Sequence, residues 1–376
     1  MQDTGNERGT AETTGTEDPP KPGTEAPDAE STVTADEREA LTHNTNNAVT
    51  GGIWRERRPD GSVIVKRAVP PSDDGLWAAG HDAEHWNYWK REALAYTSGF
   101  ATEYLAGSRI RPPALLSDVV RSDGSVELTF EDVGTNQATT WSPERLGRFS
   151  RELGMVQARW AHSTIDRPRW LSSGWLRQYA GRFGPASTPD WEHPDLVAAW
   201  STRLRDGLAR QWAARDRLFT LAEKAPRTVS HLDVWPMNIM DDPDDPEAAV
   251  LLDWSFIGDG AIGEDIGNLV PDSVADGLMP SEGLPEIADA CVTGYLDGLR
   301  DGEWNGSADI ARRSIAVCGA AKYVWLAPMM ADRLARGLPI GSANYDRGDD
   351  NLTILDRRRS MMELLVEWTD QALGSV

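Results

Sequence analysis

Cysteine is nearly absent: Cys291 and Cys318 are the two in 376 residues, with no CxxC and no histidine pair nearby. A structural zinc site needs clustered Cys and His ligands, and a disulfide scaffold needs more cysteines than these, so neither is supported. Positive charge is also short. Thirty-eight Lys and Arg face 60 Asp and Glu, a formal charge of −22, and only five of the basic residues are lysines. Nucleic acid and anionic membrane faces reward clustered basic side chains, so no nucleic-acid or membrane partner is expected. Asp3 and Glu7 stand near the start with no apolar h-region, so no secretory signal is expected. The most apolar long stretch, 314–330, contains Lys322 and Pro328 and is shorter than the ~20 residues a spanning helix needs. The expectation is a soluble, cytoplasmic protein.

What is present can build a core, since 40% of the residues are apolar and 16 are tryptophan. Residues 1–40 are the exception: they hold 11 acidic and three basic residues and almost no large apolar side chain, which reads as a disordered acidic tail. Two strand-like runs then flank a Pro59-Asp60-Gly61 turn, and a second pair, 114–120 and 126–130, flanks Ser122-Asp123-Gly124-Ser125. Between the hairpins Trp86, Trp89, Ala93 and Tyr96 recur at helical spacing, predicting a helix over 81–98 with Glu92 beside its apolar stripe. Trp77, Trp86, Tyr88 and Trp89 are expected in core and lobe contacts rather than as a substrate wall. Residues 44–134 thus read as a small strand-rich lobe. Ser142-Pro143 starts a long helix, and helical patterns cover 195–221, 284–299, 310–334 and 352–373. The larger lobe, 135–376, is mostly helical apart from short β-branched runs at 228–229 and 249–252. The expected fold class is α+β with two lobes.

The informative stretch runs from His231 through Asp233 and Asn238 to Asp253-Trp254. One carboxylate stands five residues before an amide, and a second ends an apolar run 15 residues after that amide. Transfer of a phosphoryl group needs such a kit: a group to take or orient the acceptor hydroxyl's proton, and oxygen ligands for the Mg²⁺ that screens the phosphates. The acidic run 241–247 lacks the alternating ligands and central glycine of a calcium loop and is expected to be a solvated hairpin loop.

The segment resembles the HGDxxxxN and (I/L)DW motifs of the aminoglycoside and choline phosphotransferases, within the protein-kinase-like superfamily, and the run 258–266 is similar to the glycine-rich stretch and Asp-Leu that come after the DW in those enzymes. The resemblance implies a bilobal kinase-like fold, with the nucleotide in the small lobe and the acceptor on the helices of the larger one. It implies Asp233 as catalytic base, Asn238 and Asp253 as magnesium ligands, and Asp265 and His231 as supports of the catalytic loop, the histidine by bonding loop carbonyls. Lys66 and Glu92 would be the phosphate-binding lysine and its partner. Glu131 to Val133 would offer backbone groups to the adenine edge, and Gly51 and Gly52 would belong to the loop over the phosphates. The sequence departs from the family pattern twice: Leu232 stands where glycine is common, and Trp235 where histidine or lysine is common. The activity implied is transfer of the γ-phosphate of ATP or GTP to a hydroxyl of a small molecule, plausibly cationic and aminoglycoside-like. A Ser or Thr of a peptide and a nucleotide-binding pseudokinase are the alternatives left open.

Overall fold

The computed structural model of the chain describes residues 38–43, 47–71, 77–163, 167–341, 346 and 348–374. Residues 1–37 of the expected tail and 44–46 of the small lobe lie outside the described residues. The tail does not extend to residue 40, because β1 (Arg38–Ala40) pairs antiparallel with β2 (Thr50–Arg58). Arg38 pins that edge, ion-pairing with buried Glu56 and lying 4.6 Å over the Trp54 ring. Composition hides such a strand, since its partners are distant in sequence.

Both expected hairpins form: β2 with β3 (Gly61–Ala68), and, after the short β4 (Ile110–Arg111), β5 (Leu115–Val120) with β6 (Val126–Glu131). They join into one sheet of order β1-β2-β3-β6-β5, so Lys66 on β3 sits in the middle strand, opposite Leu128 of β6. Helices α1 (Arg91–Thr97) and α2 (Phe100–Leu105) follow the turn-rich segment after β3, and Tyr96 packs on Phe130 of the sheet at 4.6 Å.

The helix expected over 81–98 begins only at Arg91. The buried Arg91 guanidinium donates all five of its N–H groups, to the carbonyls of Ala83, His85, Trp86, Trp170 and Ser255 at 2.7–3.0 Å. Three of those carbonyls belong to residues 83–86 and converge on one cation, which carbonyls aligned along a helix axis cannot do. Trp86 and Trp89 are buried, as core packing requires. Trp77 packs against Trp86, Tyr179 and Phe183, joining the small lobe to the large one.

In the large lobe, Ser142 caps α3 (Pro143–His162) by accepting from Arg145 N, with Pro143 at the first helical position. Helices α4 (Trp175–Ala180), α5 (Pro194–Ala199), α6 (Thr202–Ala213) and α7 (Arg215–Glu223) precede strands β7 (Arg227–Ser230), β8 (Ile239–Asp241), β9 (Ala249–Leu251) and β10 (Gly258–Ala261). The strands form two small sheets, β4-β9-β8 and β10-β7. Then come α8 (Glu264–Ala275), α9 (Leu284–Asp301), α10 (Ala308–Lys322), α11 (Leu326–Ala335), α12 (Asn351–Arg357) and α13 (Arg359–Leu373). The pattern over 195–221 breaks where Trp200, extended between α5 and α6, sends its indole N–H to the Leu355 carbonyl at 3.0 Å. The apolar span Ala308–Ala335 has the length and hydropathy to cross a membrane, but 89% of its most apolar window is buried in this fold. It is the core of the lobe.

Helices α3 and α9 cross with backbones in contact. A Cβ added at Gly294 would lie 2.1 Å from the Gly147 carbonyl oxygen, and one at Gly298 would lie 2.0 Å from that of Arg151. Only glycine allows this approach, and overpacking a close-packed interface costs about 1–3 kcal/mol or more. Gly298→Val is therefore expected to destabilise the protein by about 3 kcal/mol, read as a fall in the denaturant midpoint. An unchanged midpoint would refute the tight crossing.

Candidate active site

The catalytic segment leaves β7 at Ser230 and turns sharply. Leu232 has φ 69° and Asp253 φ 57°, two of the three non-glycine residues with positive φ among the described residues. Left-handed backbone is costly for a side-chain-bearing residue and gathers at functional sites. It also explains why glycine suits the Leu232 position; here the leucine side chain is buried instead, 1% exposed.

The turn is held by α8. Asp265 accepts from the backbone N–H of His231 at 2.9 Å and of Leu232 at 2.7 Å, and from Gln157 Nε2 at 2.7 Å. Asn268, three residues on and so on the same helix face, donates to the Val234 carbonyl at 2.6 Å. Tyr295 hydroxyl bonds Gln157 Oε1 and accepts from Gly263 N, tying α9 into the network. Burial pushes the Asp265 carboxyl up to about 6, against the pull of its donors. Gln157, Asn268 and Tyr295 carry no motif. Only the three-residue step from Asp265 to Asn268 could have signalled one of them.

His231 is fully buried beneath the loop, its ring edge-on to Trp254 at 5.0 Å. Burial pushes its pKa down to about 4, against the opposing pull of the Asp253 charge and the Leu252 carbonyl.

Asp233 and Asn238 meet directly. Asn238 Nδ2 donates to Asp233 Oδ2 at 2.9 Å and to its backbone carbonyl at 3.0 Å, while the Asn238 carbonyl accepts from Leu252 N at 2.8 Å. The β8–β9 pairing, Ile239 opposite Leu251, thus brings Asn238 alongside the residues just before Asp253. Asp253 Oδ1 accepts from Ser255 Oγ at 2.7 Å and meets Lys66 Nζ at 3.2 Å; Lys66 in turn reaches Glu92 Oε2 at 2.6 Å. The structure therefore brings together Asp233, Asn238, Asp253, Lys66 and Glu92. Burial works against the Lys66 charge, but Asp253 and Glu92 outweigh it and hold its pKa above the ordinary value. Burial also opposes the Asp253 charge, yet Lys66 and the Ser255 hydroxyl keep its carboxyl below the usual range. Burial and the Asp253 charge push Asp233 up to about 7. Two neighbouring carboxyls are driven apart, one poised as an anion and one near neutrality, the pattern of sites that divide charge and proton work.

Gly51 and Gly52 lie at the bulge opening β2; Gly52 has φ 148°, and a Cβ there would meet the Trp54 ring at 2.3 Å. At the lobe junction the Glu131 backbone N–H is already given to the Ala114 carbonyl at 3.0 Å. Asp132 is fixed by Arg55 at 2.6 Å and Ser62 at 2.7 Å. In the acidic loop Asp242 pairs with Arg111, and Asp241 accepts from Trp141 Nε1 at 2.7 Å, so these carboxylates serve the fold. Among the described residues no three His, Cys, Asp or Glu side chains converge as a metal site.

A family model described as the phosphotransferase enzyme family (APH) matches residues 103–304, more than half the chain and all of the catalytic segment. The chain belongs to this family. It is a phosphotransferase with an alcohol group as acceptor. Its fold is similar to that of the amicoumacin kinase hAmiN, solved with AMP-PNP, Ca²⁺ and Ami: 12% identity, TM-score 0.52, covering 88% of this chain and 89% of that one. An aminoglycoside phosphotransferase from Alicyclobacillus acidocaldarius is similar at 17% identity and TM-score 0.50, over 91% and 92% of the two chains. No curated protein matches the sequence. Both neighbours bear out the kinase-like α+β fold. Lys66 and Glu92 precede the matched span of this phosphotransferase, so their pairing rests on geometry alone.

The opposed carboxyls yield a prediction. In the protein free of nucleotide and metal, the ¹³C-carboxylate resonance of Asp233 titrates near 7, and Asp253→Asn lowers that pKa by removing a like charge. A titration unmoved by Asp253→Asn would break the proposed coupling.

Proposed function

We propose that this phosphotransferase is a small-molecule kinase, moving the γ-phosphate of ATP or GTP to a hydroxyl of an amino-sugar-like or related natural product. The observation that carries the reading is the pairing of Asp233 with Asn238 and of Asp253 with Lys66 and Glu92, the two sets joined where Leu252 N bonds the Asn238 backbone carbonyl. In this reading they supply a proton acceptor, two oxygen donors and a fixed cation, which is what positioning and charge neutralisation require.

In this reading the small lobe takes the nucleotide and the large lobe the acceptor. The Asp233 carboxylate receives the hydroxyl's proton as the oxygen attacks phosphorus, and Asn238 Nδ2 holds that carboxylate in place. Lys66, fixed by Glu92, contacts the phosphates. Val133, just past β6, and the Glu131 and Asp132 carbonyls are the backbone groups for the base edge, because the Glu131 N–H is in use. Gly51 and Gly52 let the β2 backbone pass close to the phosphates.

The donor set fits a hard divalent cation. Asn238 Nδ2 is given to Asp233, which leaves Oδ1 as a donor atom for a metal, and Asp253 Oδ1 is shared by Ser255 and Lys66, which leaves Oδ2. Mg²⁺ takes few protein oxygens and completes its shell with water and phosphate, so two donors suffice. Held there, the cation would neutralise the phosphate charge during transfer. A nucleotide analogue and Ca²⁺ in the amicoumacin kinase structure support the same pairing here. The acidic balance of the chain favours a cationic acceptor by steering.

Incubation with Mg²⁺ and ATP or GTP across a panel of hydroxyl compounds should add one phosphoryl group to some member, detected by mass. Asp233→Asn should lower that rate about 10²–10⁴-fold, the worth of a positioned base. Full activity in the variant would remove Asp233 from the role.

A further inference from the structure

The catalytic loop carries Trp235 where the family pattern has a cationic residue, and a lysine from elsewhere in the fold, Lys322, reaches α8, the helix that holds this loop, through Asp272. Lys322 ends α10, and with 8% of its side chain exposed it is buried. Its ammonium has three donors, yet it makes no hydrogen bond among the described residues; the carboxylate it ion-pairs with, Asp272 Oδ2, is 3.8 Å away. The other neighbours are rings: Trp175 at 5.3 Å, Tyr323 at 5.6 Å and Tyr179 at 5.8 Å from centroid to Nζ. An aromatic face attracts a cation but cannot saturate its donors. An ammonium held mainly by ring faces keeps N–H donors that a ligand oxygen can take.

This cation meets the helix face that holds the turn around Asp233. Asp265, Asn268 and Asp272 fall on one face of α8, at steps of three and four residues. The first two bond the backbone of His231, Leu232 and Val234, immediately before and after Asp233. Asp272 is next in that row, and Tyr323, the neighbour of Lys322, donates to the Asn268 carbonyl at 3.2 Å. Asp233, Asp272 and Lys322 are close enough to act on one another electrostatically, and Lys322 favours the Asp233 anion.

We propose that Lys322 is a specificity residue: its free N–H groups bond an oxygen of the acceptor on the carbon next to the hydroxyl that Asp233 serves. The acceptor class is thereby narrowed to vicinal diols, polyols and hydroxy acids at the reacting position. An amine there would bring a second ammonium against Lys322. Amino groups farther out on the acceptor are unaffected. This inference rests on the assignment of Asp233 as the acceptor base.

The test compares matched hydroxyl compounds that differ only in oxygen or nitrogen on the neighbouring carbon, such as inositol and its monoamino analogue, in wild type and Lys322→Met. The wild type should prefer the oxygen member in kcat/KM. Lys322→Met should raise KM for that member about ten- to a hundredfold, the worth of a hydrogen bond to a charged group, and should shrink the oxygen-to-nitrogen preference by a similar factor. Unchanged nucleotide affinity and thermal midpoint in the variant show that it folds. A preference unmoved by Lys322→Met, with transfer intact, overturns the role of Lys322 alone. A wild type that binds nucleotide but phosphorylates no member of any pair overturns both this inference and the kinase reading.

Discussion

A single buried carboxylate orders the site. Asp265 takes two successive backbone N–H groups and one side-chain amide, and in doing so fixes a turn whose central residue, Leu232, has an unfavourable backbone conformation. Without those bonds nothing compensates the left-handed leucine or the burial of two amide donors, each costing about 1–3 kcal/mol if left unpaired. The position of Asp233 is thus set from beneath by α8. The position of α8 is in turn set by Gln157 and Tyr295, which face each other across the glycine-lined crossing of α3 and α9. Packing far from the cleft reaches the Asp233 carboxyl through four residues.

Charge is distributed as deliberately as shape. Lys66 stands between two carboxylates, and Asp253 owes its low pKa to that contact, while Asp233, one step farther along, has only an amide donor and rises. Two aspartates therefore behave oppositely within one cleft because one has a cation in contact and the other does not. His231 shows the complementary case, a ring next to an anionic carboxylate where burial outweighs that attraction and lowers the pKa.

Much of this was legible in the sequence where signals are local. The hairpins announce themselves by turn residues, the catalytic loop by a fixed spacing of acid, amide and acid, and Asp265 by its place after the glycine-rich run. What was not legible depends on contacts between distant segments. The helix expected from Trp86 onward has the right periodicity, but Arg91 draws the carbonyls of 83–86 to itself, and tertiary hydrogen bonding overrides the pattern. Gln157, Asn268 and Tyr295 are ordinary residues whose roles exist only once α3, α8 and α9 are packed. Lys322 sits in an apolar stretch, where it reads as an obstacle to a membrane helix; only the fold puts it near Asp233. The strand at Arg38–Ala40 was masked by its acidic surroundings.

Arg91 joins elements that the two-lobe description separates. It begins α1, the helix that carries Glu92, yet its guanidinium is bonded to Trp170 and Ser255 of the large lobe as well as to the turn before it. A planar fork with every donor used has little freedom to slide. Mechanically, α1 is a fixture of the large lobe on which the five-stranded sheet rests. Glu92 thus belongs mechanically to the large lobe while Lys66 belongs to the sheet, so their ion pair is a bond between the two lobes.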